Sequence, residues 1–151
     1  MSERTNIVKT LGADERFTTM TTALHETGLD AILTGNGPFT VLAPTNDAFR
    51  QFREGSGDHL RHDPQEQCKR VLQYHILFGL LVEKDIKKLN FPKTCLGITV
   101  EISERAGQVT INGISLTYPD IICTNGVIHG IDTVLLPPFR EPGTHRLKIR
   151  I

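Results

Sequence analysis

The feature that most constrains this chain is a change in its hydrophobic periodicity near residue 94. Before that point, apolar residues recur at helical spacing, as Phe17, Met20 and Leu24 do. After it they alternate with polar residues, and Asn112-Gly113 gives the strongest hairpin signal in the chain. Because helices come early and antiparallel strands late, the pattern predicts an α+β fold rather than a parallel α/β sheet.

Several helices are predicted in the first ninety residues. One helix is expected to start at Asp14 and stop at Gly28, and Thr45 is well placed to cap another. A longer helix is expected to open at Asp63, where a proline and a capping-box glutamate follow, and to close at Gly79. The apolar stripe of that helix consists of Cys68, Val71, Leu72, His75 and Ile76.

Two other segments of the sequence predict buried or turn structure. The short apolar run from Phe39 to Ala43, ended by Pro44, indicates a strand that is buried on both faces. A second Asn-Gly pair, Asn125-Gly126, is expected to join the last two strands.

Length and charge exclude some classes of function. A chain of 151 residues fits one domain, and its formal net charge is zero. The chain therefore lacks the positive electrostatic field by which a strongly basic protein attracts nucleic acid, and no nucleic-acid partner is expected. The longest apolar run, Val71 to Val82, is shorter than the ~20 residues that a bilayer requires, so no membrane span is expected.

The cysteines and the N-terminus bear on the compartment. Cys68, Cys95 and Cys123 are odd in number and widely spaced, which favours buried thiols with at most one bridge and leaves open whether Cys95 and Cys123 pair. The first ten residues carry no apolar signal-peptide core, so a cytoplasmic protein and an exported chain without its leader both remain open.

Three ordered segments together resemble the signature blocks of the fasciclin (FAS1) domain family. The match runs from about Asn6 to Pro138. It predicts a single fasciclin-type domain over residues 1–138, followed by a tail or an extra edge strand over residues 139–151. The segments are FTVLAPTNDAF (39–49), LQYHIL (72–77) and NGVIHGIDTVLLPP (125–138).

The resemblance implies a wedge-shaped β-sandwich with helices packed around it (a β-wedge) and a role in cell adhesion. The partner would be a cell-surface or matrix protein or glycan, and the location extracellular, periplasmic or at the cell surface. Neither catalysis nor a cofactor is implied. In animal members an Asp-Ile pair and the region around the Tyr-His motif are linked to integrin-mediated adhesion. The matching positions are Asp120, Ile121, Tyr74 and His75, and two departures from the family pattern are Cys123 and Gly130.

Other residues of the matching blocks are expected to hold the fold together. They are Thr45, Asn46 and Asp47 in the first block and His129 and Asp132 in the last.

A structural role competes with partner binding at His75. His75 lies on an apolar stripe, and a buried imidazole needs hydrogen bonds at both ring nitrogens. We therefore expect Tyr74 and His75 to stabilise the block that begins at Thr45.

Two interpretations compete at the Asp-Ile pair. Beside a turn, Asp120 could present a carboxylate to a partner's metal or basic group. Alternatively, Ile121 fills the core and Asp120 caps a turn.

Two rival functions use other features. One is a carrier or sensor that holds a small apolar ligand between the wedge and the helices. The other is a hydrolase whose metal is bound by His59 and His62, although the flanking glycines and proline indicate a solvated loop without a metal. Three residues separate His129 from Asp132, which places them on opposite faces of a strand and argues against a catalytic pair.

Overall fold

The computed structural model of the protein describes residues 5–56 and 64–137. These ranges contain six α-helices, one 3-10 helix and six β-strands. The helices are α1 (Ile7–Gly12), α2 (Thr18–Thr27), α3 (Leu29–Leu33), α4 (Asn46–Ser56), α5 (Pro64–Gln73) and α6 (Glu83–Ile86), with the 3-10 helix at Glu15–Phe17. The strands are β1 (Phe39–Pro44), β2 (Ile76–Phe78), β3 (Ile102–Arg105), β4 (Gln108–Ile111), β5 (Ile114–Cys123) and β6 (Gly126–Ile131).

The six strands form one sheet in the order β2-β1-β6-β5-β4-β3. The last strand, β6, is central: it pairs in parallel with β1 and antiparallel with β5. The remaining pairs are antiparallel. The predicted α+β class is confirmed, and the structure adds one parallel pair that the late hairpin pattern did not predict.

The core lies on both faces of β1, as the unbroken apolar run predicted. All six residues of β1 are buried. Val41 and Ala43 belong to a cluster formed with the helices, whereas Leu42 belongs to a second cluster formed with β3, β4 and β5. Since successive strand residues point to opposite faces, this one strand joins the two halves of the core.

The helix predicted to run to Gly79 ends earlier than expected. Helix α5 stops at Gln73, and Ile76 begins strand β2 opposite Val41. The ring of His75 bonds the carbonyl of Val71 at 2.7 Å, which satisfies a carbonyl in the last turn of the helix. The prediction of one helical stripe through Ile76 was therefore wrong, because pairing with β1 overrides the helical spacing there.

The segment after Asp14 is also divided. Asp14 caps the 3-10 helix, and α2 begins only at Thr18 before it ends at Gly28 in the left-handed conformation. The predicted helix end at Gly28 is confirmed, whereas the prediction of one continuous helix from Asp14 was wrong.

The two Asn-Gly pairs occupy different positions in their turns. Asn112 and Gly113 form the predicted two-residue turn between β4 and β5, and both have positive φ, as a type I′ turn requires. At the second site Cys123 faces Gly126, so the turn lies at Thr124-Asn125 and not at Asn125-Gly126. That prediction was one residue out of register.

Several predictions concern residues outside the described ranges. They include the His59 and His62 metal hypothesis and the tail after Pro138. Within the described residues, no helix has the length and apolar character needed to cross a bilayer. Cys95 and Cys123 are free thiols, and burial raises the pKa of each.

Candidate functional site

Strand β5 is irregular where the predicted Asp-Ile pair lies. Leu116 faces Ile131, Tyr118 faces Gly130, and Ile121 faces Ile128. Five steps along β5 therefore match three along β6, which leaves two extra residues in β5. Such bulges lift the chain out of the ladder, and residues 117–120 are all exposed. We call residues 117–120 the β5 bulge.

Asp120 ends the β5 bulge in an unusual backbone conformation. Its φ is +63°, in the left-handed region that aspartate tolerates better than most residues. One carboxylate oxygen accepts a hydrogen bond from the backbone N–H of Glu83 at 2.8 Å, so Asp120 caps the first turn of α6 from a distant strand. The side chain remains 46% exposed. Ile121, by contrast, is half-buried against the helix-side core.

His129 lies beneath the β5 bulge and fixes its backbone. The imidazole is completely buried. Its Nε2 bonds the carbonyl oxygen of Leu81 at 2.8 Å, and its Nδ1 accepts the backbone N–H of Asp120 at 3.0 Å. Only a neutral ring with its proton on Nε2 makes both bonds. The ring therefore joins the loop before α6 to the bulge.

Burial keeps His129 neutral. It lowers the pKa of the imidazole, and the Leu81 carbonyl and the carboxylates of Asp120 and Glu83 oppose this only in part. The Nδ1 atom lies 3.9 Å from Oδ1 of Asp120. With the ring neutral, that approach is not an ion pair.

The Tyr-His motif lies in the interior. The hydroxyl of Tyr74 donates to the carbonyl of Thr99 at 3.1 Å and accepts from the side-chain amide of Asn112 at 3.0 Å. The Nδ1–H of His75 donates to Val71, and its Nε2 accepts the N–H of Leu135 at 2.9 Å. These are the fixed partners expected of a buried histidine.

The burial of Tyr74 and His75 corrects the partner-binding role considered for them. Their exposures are 2% and 0%, so neither side chain is at the surface for a partner to touch. Nor do the side chains bond the block at Thr45. The link to that block is the backbone carbonyl of His75, which accepts the N–H of Leu42 in the strand leading to Thr45.

The first signature block borders a polar cleft of about 640 Å³. Thr45 caps α4 by accepting the N–H of Ala48 at 3.3 Å. Asn46 accepts the N–H of Thr19 and donates to the carbonyl of Glu15, which fastens the 3-10 helix and α2 to α4. The lining residues are Arg16, Thr45, Asn46, Asp47, Gln51, Thr117, Tyr118, Asp132 and Thr133.

The two acidic residues of the predicted structural set point outward at this cleft. Asp47 forms an exposed ion pair with Arg50 at 2.8 Å. Asp132 is exposed, whereas His129 is buried. Strand β6 ends at Ile131 and all its residues are buried, so Asp132 is exposed because it follows the strand and not because it lies on the opposite face from His129. No pair of these residues forms a catalytic arrangement with His129.

Gly130, noted as a departure from the family pattern, makes room for Tyr118. A Cβ added at Gly130 would lie 2.9 Å from Cδ2 of Tyr118 and 2.9 Å from Cζ of Phe17. The guanidinium of Arg16 covers the Tyr118 ring at 4.2 Å from its centroid. Asp14 holds this guanidinium with two hydrogen bonds, which lower the pKa of the Asp14 carboxyl. The small residue in β6 thus shapes the start of the β5 bulge.

Sequence reasoning treated Asn125 only as a turn residue and missed its larger role. Its side-chain oxygen accepts the N–H of Ile7, the first residue of α1, and its amide donates to the carbonyls of Leu33 and Gly35. The residue is buried. One side chain therefore ties α1 and the end of α3 to the turn before β6, a role that only the tertiary contacts identify.

Comparison with known proteins places this fold and these motifs in one family. The model of the Fasciclin domain matches residues 15–137, so the chain belongs to the fasciclin domain family. It is 35% identical to transforming growth factor-beta-induced protein ig-h3 of Sus scrofa, over 90% of this chain but only 20% of that protein. It is 36% identical to the uncharacterized protein sll1735 of Synechocystis, over 87% of this chain and 97% of that protein.

A solved structure supports the fold alone. The FAS1 domain pair from the insect cell adhesion molecule Fasciclin I superimposes with a TM-score of 0.77 at 22% identity, and the match covers 88% of this chain and 51% of that one. The expected fasciclin fold is therefore confirmed.

Proposed function

We propose that this protein is a non-catalytic adhesion module that binds a protein partner at a cell surface or matrix through the β5 bulge. The observation that carries the proposal is the exposed carboxylate of Asp120, held by a buried histidine and a helix start. Such a fixed anion suits recognition of a partner's basic group or bound metal ion, because little conformational freedom is lost on binding.

Three contacts fix the position of this carboxylate. The backbone N–H of Asp120 bonds His129, one carboxylate oxygen bonds the N–H of Glu83, and Ile121 beside it packs into the core. Among the residues that the structure describes, no hydrogen bond occupies the second carboxylate oxygen. The capping role and the partner-binding role therefore use different oxygens of one side chain.

The lining of the cleft beside α4 argues against one rival function, that of a carrier for an apolar ligand. A carrier for an apolar ligand needs an apolar cavity, whereas the cleft beside α4 is lined mainly by hydroxyl, amide and charged groups. The hydrolase hypothesis places its metal on His59 and His62, which lie outside the described residues, so it stays a prediction.

The test is attachment of cultured animal cells to the immobilised chain, comparing Asp120→Asn with the unmodified protein. Asparagine tolerates the left-handed backbone and keeps an oxygen for Glu83, so the change removes charge and little else. Loss of a charge that is paired with a partner should reduce attachment by about tenfold or more.

The matched control is Asp47→Asn, which removes a carboxylate at the cleft that is 69% exposed, against 46% for Asp120. Attachment should be unchanged in that variant. Full attachment by Asp120→Asn, with a circular dichroism spectrum like that of the unmodified chain, would reject the β5 bulge as the binding site.

A further inference from the structure

The end of the β5 bulge is held by a titratable ring nitrogen. The register of β5 and β6 gives neither Pro119 nor Asp120 a partner residue in β6. Pro119 has no N–H to donate, and the N–H of Asp120 donates to Nδ1 of His129 at 3.0 Å. The acceptor at this point is therefore an imidazole nitrogen, which can take up a proton, and not a backbone carbonyl, which cannot.

Protonation of that nitrogen reverses the contact. The neutral ring accepts the N–H of Asp120 at Nδ1 and donates from Nε2 to the carbonyl of Leu81 at 2.8 Å. The charged ring carries a proton on both nitrogens, so Nδ1 and the N–H of Asp120 then meet as two donors. Turning the ring would break the bond with Leu81. The backbone of Asp120 is therefore the group that has to move.

The carboxylate of Asp120 is within reach of the charged ring. Its Oδ1 lies 3.9 Å from Nδ1 of His129 and accepts the N–H of Glu83 at 2.8 Å while the ring is neutral. A proton on Nδ1 converts this approach into an ion pair, and a charge-assisted hydrogen bond is stronger than a neutral one. Acid therefore favours exchange of the bond with Glu83 for a bond with His129, and this exchange draws the exposed carboxylate inward.

The charged groups that act on His129 all favour its protonation. They are the carboxylate of Asp120 in β5 and that of Glu83 in α6, and burial opposes them by lowering the pKa of the ring. The other ionisable residues of β5, Tyr118 and Cys123, are neutral in their protonated forms. Strand β1 (FTVLAP) and the segment GLLV (79–82) contain no ionisable side chain. Of the described residues, none places a cation against the ring.

We propose that acid withdraws the binding carboxylate of the β5 bulge, so that the protein holds its partner at neutral pH and releases it at mildly acid pH. The switch is the transfer of Oδ1 of Asp120 from the N–H of Glu83 to the protonated ring of His129. This inference rests on the proposed function of Asp120, because it describes how the same site is regulated.

His75 provides an internal control for the switch. Its Nε2 accepts the N–H of Leu135 at 2.9 Å, which is the same contact with a backbone amide. No carboxylate is among the groups that act on this ring, and burial lowers its pKa from 6.5 to about 4. At pH 5 the ring of His75 is therefore only about one-tenth protonated. The Leu135 amide should stay nearly unchanged over a pH range in which the Asp120 amide responds.

NMR spectroscopy of the isotope-labelled chain between pH 7.4 and pH 5.0 tests the switch without a partner. The backbone amide signals of Asp120 and Glu83 should follow the same titration curve as the ring signals of His129. The Leu135 amide should not follow that curve. In His129→Asn an acceptor remains near the Nδ1 position but cannot titrate in this range, so the amide signals of Asp120 and Glu83 should be constant.

Cell attachment to the immobilised chain measures the consequence for binding. Attachment of the unmodified chain should fall in proportion to the protonated fraction of His129, so that about half is lost where half of the rings are protonated. Attachment of His129→Asn at the same pH values corrects for the effect of acid on the cells. The ratio of the two attachments should therefore decrease as the pH falls. Thermal melts at pH 5.0 confirm that both chains remain folded.

Three results would overturn the switch. One is a His129 ring that stays neutral down to pH 5.0. Another is a ring that titrates while the amide signals of Asp120 and Glu83 stay in place. The third is a constant ratio of attachment between the unmodified chain and His129→Asn.

Failure of the proposed binding site gives a different result. The ring and amide signals would titrate together, but Asp120→Asn would attach as well as the unmodified chain at pH 7.4. That outcome rejects Asp120 as the binding group, and with it the regulation of binding, although the acid-driven exchange of hydrogen bonds would stand.

Discussion

The two buried histidines use the same chemistry in different regions of the molecule. Each is neutral, donates one ring N–H to a carbonyl and accepts a backbone N–H at the other nitrogen. His75 does this in the interior, between α5 and the segment after β6. His129 does it just beneath the surface, between the loop before α6 and the β5 bulge. His75 therefore supports the scaffold, whereas His129 positions an exposed carboxylate.

The difference shows how a signature residue should be interpreted. Both histidines belong to matching blocks, and both are completely buried, so burial alone does not separate their roles. What separates them is the segment that each ring holds. Leu135 is a core residue, but Asp120 carries an exposed anion. A buried residue can therefore matter for binding through the backbone that it fixes.

The largest effect is expected from His75→Ala. The change leaves a cavity and an unsatisfied N–H at Leu135, and should lower the free energy of unfolding by about 4 kcal/mol. For a domain of this size that corresponds to a fall in Tm of about 12 °C. Differential scanning calorimetry measures both quantities. His25→Ala is the control, since that ring is exposed and should change stability by less than about 0.5 kcal/mol. An unchanged Tm in His75→Ala would contradict a structural role.

A slightly smaller effect is expected from pH. Burial lowers the pKa of His75 from 6.5 to about 4, so between these values the unfolded chain binds a proton that the folded chain does not. Stability is fully present above pH 6.5 and falls by about 3 kcal/mol as the pH drops towards 4. His129, whose pKa is also lowered, adds to the fall in the same direction.

Urea unfolding at a series of pH values measures this dependence. The slope between pH 6.5 and 4 should be shallower in His75→Ala, which has lost one of the two rings. The pKa of Asp14 is also lowered, but from 3.8, so its contribution is lost below this window. Identical slopes in the two proteins would show that His75 is not the group that titrates.

The smallest and most selective effect is expected from two substitutions at His129. His129→Asn keeps an acceptor near the Nδ1 position for Asp120, and His129→Gln keeps a donor near the Nε2 position for Leu81. Each should cost about 2 kcal/mol of stability. Cell attachment should fall further in His129→Gln than in His129→Asn, because only His129→Asn keeps the hydrogen bond to the backbone of Asp120 in the β5 bulge. Equal attachment by the two variants would show that His129, like His75, has only a structural role.

Much of the fold follows from local pattern in the sequence. The buried strand β1, the cap at Thr45, the stop at Gly28 and the turn at Asn112-Gly113 were all predicted from residue type and spacing. Errors arose where long-range pairing decides. Ile76 has helical spacing but pairs with Val41, and that partner lies 35 residues away in sequence. No local pattern contains this information.

The candidate site was less predictable than the fold. Family resemblance directed attention to Asp120 and to the two histidines, but not to the extra residues of β5. A bulge is defined by the register between two strands, and the sequence of one strand does not state it. The hydrogen bond that Asp120 accepts from Glu83, and those of Asn125 with α1 and α3, likewise join segments far apart in the chain.

The central place of β6 has a consequence for biosynthesis. A ribosome releases β1 long before the strand that must lie beside it, and until residue 131 has emerged the hydrogen-bonding groups on that side of β1 have no partner in the sheet. The nascent chain therefore carries an open strand edge through most of its synthesis, a state prone to aggregation. A premature stop codon before Gly126 would leave that edge permanently open, and the truncated product would be a substrate for chaperones and proteases.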